Sequence, residues 1–173
     1  MSFLRGLKLA GFARRHLGRM SRGRGEVIRH LEGGGPVPMP TFVQLRVTNV
    51  CNLRCRMCGQ WGETGIYRPG EGDAATDGRE ERNRIRELVG LKRQMGLSSW
   101  VRLLDEIAVW SPIVTIYGGE PLLYPDILPL VGEIKKRGLT CTMITNGWDL
   151  EEMAGPLAQS GIDAIAVSID GPP

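Results

Sequence analysis

Residues 113–145 read IVTIYGGEPLLYPDILPLVGEIKKRGLTCTMIT, and the change of texture within them decides the fold. The first five, IVTIY, are β-branched and aromatic and read as a short strand. Pro125 then stands near the start of a helical stretch that closes on Lys135, Lys136 and Arg137, with Gly138 as its stop. Proline suits a first helical turn, cations suit the last one, and glycine accepts the conformation that ends it. TCTMIT at 140–145 is a strand again.

Outward from this unit the same rhythm repeats. Upstream, SWVRLLDEIAVW (99–110) has helical periodicity, with Val101, Leu104, Ile107 and Ala108 on one stripe. FVQLRV (42–47) reads as the strand before it. Downstream, Asp149 and Glu152 have the spacing of a capping box for a helix ending near Gly161, and DAIAVSI (163–169) is a fourth strand. The alternation predicts an α/β fold of parallel strands with right-handed crossovers. An open doubly wound sheet and a slice of a β/α barrel fit this pattern equally. In either, ligands gather at the C-terminal strand ends. Those ends carry CNLRCRMC (51–58), GGEP (118–121), TNG (145–147) and SIDG (168–171), so four unusual segments share one rim.

The remaining chain divides by composition. The 173 residues, 42% hydrophobic and 24% charged, describe a globular chain of single-domain size. No apolar run approaches the roughly 20 residues that span a bilayer, and no signal peptide is expected in the first 25 residues, which carry Arg and Lys throughout. A reducing cytosol is the expected compartment, where clustered cysteines serve as ligands or catalysts more often than as bridges. The net charge of +3 is uneven: seven basic residues and no acidic one fall between Met1 and Gly25. Residues 1–32 are therefore read as a basic amphipathic segment, which could be a packed N-terminal helix or a contact to a membrane surface or nucleic acid. Residues 33–41 form a Gly/Pro linker, and 42–173 the domain. Within it, 62–98 interrupt the rhythm with seven glycines and a charged run, DGREERNRIRELVGLKRQM, that has the pattern of a surface helix. A connection of this length is an insertion or lid, or is disordered.

Cys51, Cys55 and Cys58 lie in a C-x3-C-x2-C loop directly after the first strand, while Cys141 falls inside a strand as a small buried hydrophobe. Three thiolates can wrap one face of a compact metal centre. On a four-iron cubane they leave one iron open, the mark of a reactive site and not of a closed one. The same spacing could be half a zinc site, although His16 and His30 lie upstream. Arg54 and Arg56 would favour thiolates electrostatically.

With GGEP, TNG and SIDGP following in order, the sequence resembles the radical S-adenosylmethionine (radical SAM) enzymes over roughly residues 42–173. It is most similar to the branch that contains the molybdenum-cofactor cyclase and the SPASM-type peptide-modifying enzymes. The resemblance implies a partial (β/α) barrel of the radical SAM type, here truncated after about four βα units. It further implies that Cys51, Cys55 and Cys58 hold a [4Fe–4S] cluster. S-adenosylmethionine would bind the open iron and be cleaved reductively to a 5′-deoxyadenosyl radical that abstracts hydrogen from substrate. The cosubstrate contacts it implies are Met57 against the adenine, Gly118, Gly119 and Glu120 near the ammonium, and Ser168 and Asp170 toward the ribose or carboxylate. Asn146 reads more simply as a turn residue before Gly147. Implied partners are a reductant protein such as flavodoxin or ferredoxin, and a peptide or small-molecule substrate. Because the family core usually continues through two further βα units, a chain ending at Pro173 reads as a fragment, expected to be poorly soluble or inactive when expressed alone. A non-catalytic iron–sulfur or zinc-binding module is the alternative from another class.

Overall fold

A computed structural model describes residues 17–18, 21, 23–34, 36–62 and 94–169. The expectations for residues 1–16, for 63–93 and for Asp170 lie outside the described residues.

A helical stretch at 23–33 leads through an irregular 36–40 into the domain. The domain runs β1 (Phe42–Thr48), α1 (Leu97–Ile107), β2 (Ile113–Gly118), α2 (Ile127–Lys136), β3 (Thr140–Thr145), α3 (Leu150–Ser160) and β4 (Ala164–Val167). Short 3-10 turns follow α1 at Ala108–Trp110 and follow the GGE segment at Pro121–Leu123. The expected helix at 99–110 is thus α1 with a tightened last turn. Its buried side chains are Trp100, Leu104 and Ile107, so Trp100 takes the core place that the sequence pattern assigned to Val101.

The sheet order is β1-β2-β3-β4, and every pair is parallel. A sequential order separates the two architectures that the pattern left open. A doubly wound sheet reverses its strand order at a switch point. Here each crossover advances by one strand in the same sense, which keeps the helices on one face. In keeping with this, α1 packs on α2 and α2 on α3. The arrangement is a partial β/α barrel wall.

Alternation along the strands sorts the two faces. Leu45, Val47, Val114, Ile116, Cys141 and Met143 are buried, and they join Leu104, Leu130, Ile134 and Leu157 from the helices in one core. The opposite face carries Gln44, Thr115 and Thr142 in one cross-strand row, Arg46 beside Tyr117, and Ile144 beside Ala166. On that face the hydroxyls of Thr115 and Thr142 share a hydrogen bond of 2.6 Å. Arg137, at the end of α2, ties to Asp105 on α1 at 2.6 Å and to Glu133 at 2.9 Å. Gly138 (φ 68°) and Gly161 (φ 82°) end α2 and α3 in the left-handed region. Asp149 stands at the N-cap of α3 as expected, but its side chain caps nothing, so the capping box is not formed.

Candidate functional site

The β1–β2 ladder slips between Arg46 and Thr48, an irregularity that turns the chain as it leaves the strand. Pairing then resumes beyond the strands: Gly119 N–H donates to Thr48 O at 2.8 Å and Glu120 N–H to Val50 O at 2.7 Å. The glycines make this possible. A Cβ on Gly118 would stand 2.3 Å from Thr48 O, and one on Gly119 would stand 2.3 Å from Val50 O. The close approach that the double glycine permits is therefore that of the protein's own backbone, the segment leading into Cys51.

The cysteine loop is held from within. Cys58 N–H donates to Cys55 O (2.9 Å) and Gly62 N–H to Cys58 O (2.8 Å). Trp61 is buried with Val50 beneath the loop, against Cys51, Cys58 and Leu123, and its indole Nε1–H donates to Asn49 O at 2.8 Å. Arg54 lies 4.5 Å above the Trp61 ring and donates to the carbonyls of Cys51 (3.0 Å) and Leu53 (2.9 Å). Gly62 sits so close to three loop carbonyls that a Cβ would lie 2.4 Å from Arg56 O, 2.6 Å from Cys58 O and 2.7 Å from Cys55 O. Trp61 and Gly62 belong to no motif of the sequence: they fall at the junction of the cysteine loop and the 62–98 interruption. The available signal was a large aromatic and a glycine within four residues of the last thiol.

None of the three loop cysteines is in a disulfide: Cys51 and Cys58 are partly buried and Cys55 is exposed. Their surroundings differ. Burial raises the Cys51 pKa, helped by the nearby Glu120 carboxylate; the Leu53 N–H and the Arg54 charge work the other way without prevailing. At Cys58 burial also disfavours the thiolate. There the N–H groups of Trp61, Gln60 and Gly62, with the Arg46 charge, bring the pKa below the ordinary thiol value. Hydrogen bonding from the backbone, more than Arg54 or Arg56, thus favours a thiolate in this loop.

The GGEP and TNG segments meet behind the loop. Glu120 is fully buried. Its Oε1 accepts from Leu122 N–H (3.0 Å) and from the Thr145 hydroxyl (2.7 Å), and its Oε2 accepts from Asn146 N–H (2.8 Å). Asn146 reaches the loop, with Nδ2 2.8 Å from Asn52 Oδ1 and 3.9 Å from Cys51 Sγ. Gly147 turns the chain at φ 80°, and a Cβ there would meet Val167. Met57 projects outward at 81% exposure. Ser168 is exposed, and its N–H donates to Thr145 O at 2.9 Å.

The donor set of the loop, three thiols within eight residues, fits an iron–sulfur cluster. A cubane takes each thiolate on a separate iron, and a chain of three cysteines supplies three of its corners. Next to Cys51 in the chain, Asn52 Nδ2 is a buried donor with no hydrogen-bond partner among the described residues, as a donor to an absent acceptor would be.

The comparisons with known proteins agree with this geometry. The model of the radical SAM superfamily matches residues 45–173, and the chain belongs to that superfamily. Its members use a [4Fe–4S] cluster and S-adenosylmethionine. Among its relatives is a tungsten-containing aldehyde ferredoxin oxidoreductase cofactor-modifying protein of Pyrococcus furiosus, 30% identical over 75% of this chain and 30% of the relative. A probable GTP 3′,8-cyclase of Thermococcus kodakarensis is 32% identical over 79% of this chain and 36% of its own length. An AdoMet-dependent heme synthase of Nitratidesulfovibrio vulgaris is 29% identical over 83% and 33%. The chain spans about a third of the length of these curated relatives. No helix among the described residues is long and apolar enough to cross a membrane.

Proposed function

We propose that this member of the radical SAM superfamily contributes the cluster-bearing wall of an enzyme that cleaves S-adenosylmethionine reductively and abstracts hydrogen from a small cofactor precursor or a peptide. The observation that carries the reading is the preorganised loop of Cys51, Cys55 and Cys58, locked to the GGEP segment by backbone pairing at Thr48 and Val50. These three thiols would hold the cluster. When bound, it supplies the electron that breaks the sulfonium bond and an open iron for the amino acid end of the cosubstrate.

The rest is the work of the chain's own side chains. Burial around Cys51 and Trp61 excludes water from the inner side of the loop. Since the Glu120 carboxylate is enclosed by three internal donors, the contact that the GGEP segment offers an ammonium is a main-chain one along Gly118 and Gly119. Exposed Met57 provides the apolar surface for a purine, and Ser168 a hydroxyl on the same rim. Among the relatives, proteins named for cofactor modification, GTP cyclisation and heme synthesis favour a small cofactor precursor over a peptide. In this reading 42–173 is the working unit and the basic segment 1–32 an accessory, acting in the cytoplasm with a reductant of the flavodoxin or ferredoxin class.

The experiment is anaerobic reconstitution followed by reduction with dithionite in the presence of S-adenosylmethionine. In an enzyme that carries this wall, methionine and 5′-deoxyadenosine are expected in equal amounts, and their loss on substituting any of the three cysteines by Ala. Cleavage that survives Cys55→Ala at the wild-type rate would overturn the assignment.

A further inference from the structure

The hydrogen bonds behind the cysteine loop form a relay that joins three separate segments of the rim. It begins at Glu120, fully buried, whose Oε2 fixes the Asn146 backbone at 2.8 Å and whose Oε1 fixes the neighbouring Thr145 hydroxyl at 2.7 Å. With the backbone held, the Asn146 side chain has one orientation that satisfies its surroundings. Its Oδ1 accepts the Trp148 N–H at 2.9 Å, which leaves Nδ2 to face the other way. There it donates to Asn52 Oδ1 at 2.8 Å and stands 3.9 Å from Cys51 Sγ. The same sulfur receives the Leu53 N–H at 3.4 Å.

We propose that Asn146 is a positioning residue for Cys51: it steadies the loop through Asn52 and directs an N–H at the Cys51 sulfur, raising the reduction potential of the cluster held there, with Glu120 acting through it. Donors to a ligating sulfur draw negative charge from the centre and so stabilise its reduced form. Outer-shell partners of this kind also fix ligand orientation. Asn146 is therefore more than the turn residue its place before Gly147 indicates. Glu120, a carboxylate enclosed by donors, holds the β3 end in place for it. The inference rests on the iron–sulfur reading of the loop.

The test reconstitutes wild type, Asn146→Ala and Asn146→Asp with iron and sulfide. Asp is the same shape and keeps an oxygen for the Trp148 N–H, but replaces the donor facing sulfur with an acceptor. Three quantities are read: iron content, midpoint potential by EPR-monitored redox titration, and iron retention against a chelator. Both variants are expected to assemble the cluster at a more negative potential, Asp shifted further than Ala, with retention weakened about tenfold. Glu120→Gln should shift the potential in the same direction. A wild type that holds iron, with potentials unchanged in both Asn146 variants, overturns the inference and leaves the iron–sulfur reading standing. A wild type that takes up no iron overturns both.

Discussion

At Gly62 one added methyl group would meet three carbonyl oxygens of the cysteine loop at 2.4–2.7 Å, so Gly62→Ala must move the loop. The expected cost is roughly 1–3 kcal/mol in a denaturant titration, together with a marked loss of iron uptake. Gly59→Ala is the control, since a Cβ there meets nothing within 4 Å, and it should change neither quantity. The thiols divide in the same local way. Cys141 is buried and its pKa is pushed up to about 12 by desolvation. In the native apoprotein at pH 8, iodoacetamide should label Cys55 and Cys58 and reach Cys141 only after unfolding. A thiol held neutral in the fold but free to ionise when unfolded supports the fold below its ordinary pKa near 9. That support is lost as pH rises from about 9 towards 12. Stability should decline through this window, and the decline should be shallower in Cys141→Ala.

At the scale of elements, the sheet and its helices depend on apolar alternation that was legible in the sequence. β1, β2 and β3 begin where the β-branched runs begin, and Gly138 and Gly161 end their helices as their type requires. Leu130, fully buried on α2 between strands and helices, should cost about 2–5 kcal/mol when replaced by Ala. Calorimetric or chemical unfolding measures this directly. What stayed hidden depended on contacts between distant residues. The stripe on α1 turned toward Trp100 instead of Val101 because the core, not the helix period alone, chooses the buried arc. The Asp149–Glu152 spacing satisfied the capping pattern, yet no cap forms. Asn146 and Glu120 could be placed on the rim from sequence. Their hydrogen bonds to each other and to the loop span 26 and 94 residues, and local pattern does not encode those.

For the whole molecule, sequential parallel strands put every rim segment at one end of the sheet, and the chemistry follows from that convergence. The cysteine loop, the GGEP turn and the TNG turn are bound to one another by backbone and side-chain hydrogen bonds, which fix the loop against the sheet. The most direct test of this account is the EPR spectrum of the anaerobically reconstituted, dithionite-reduced protein, recorded with and without S-adenosylmethionine. About four irons per chain are expected, with a reduced-cluster signal that changes shape when S-adenosylmethionine is added and no such signal in a Cys51/Cys55/Cys58→Ala variant. A colourless protein carrying one tightly held zinc, or a cluster signal indifferent to S-adenosylmethionine, would contradict it.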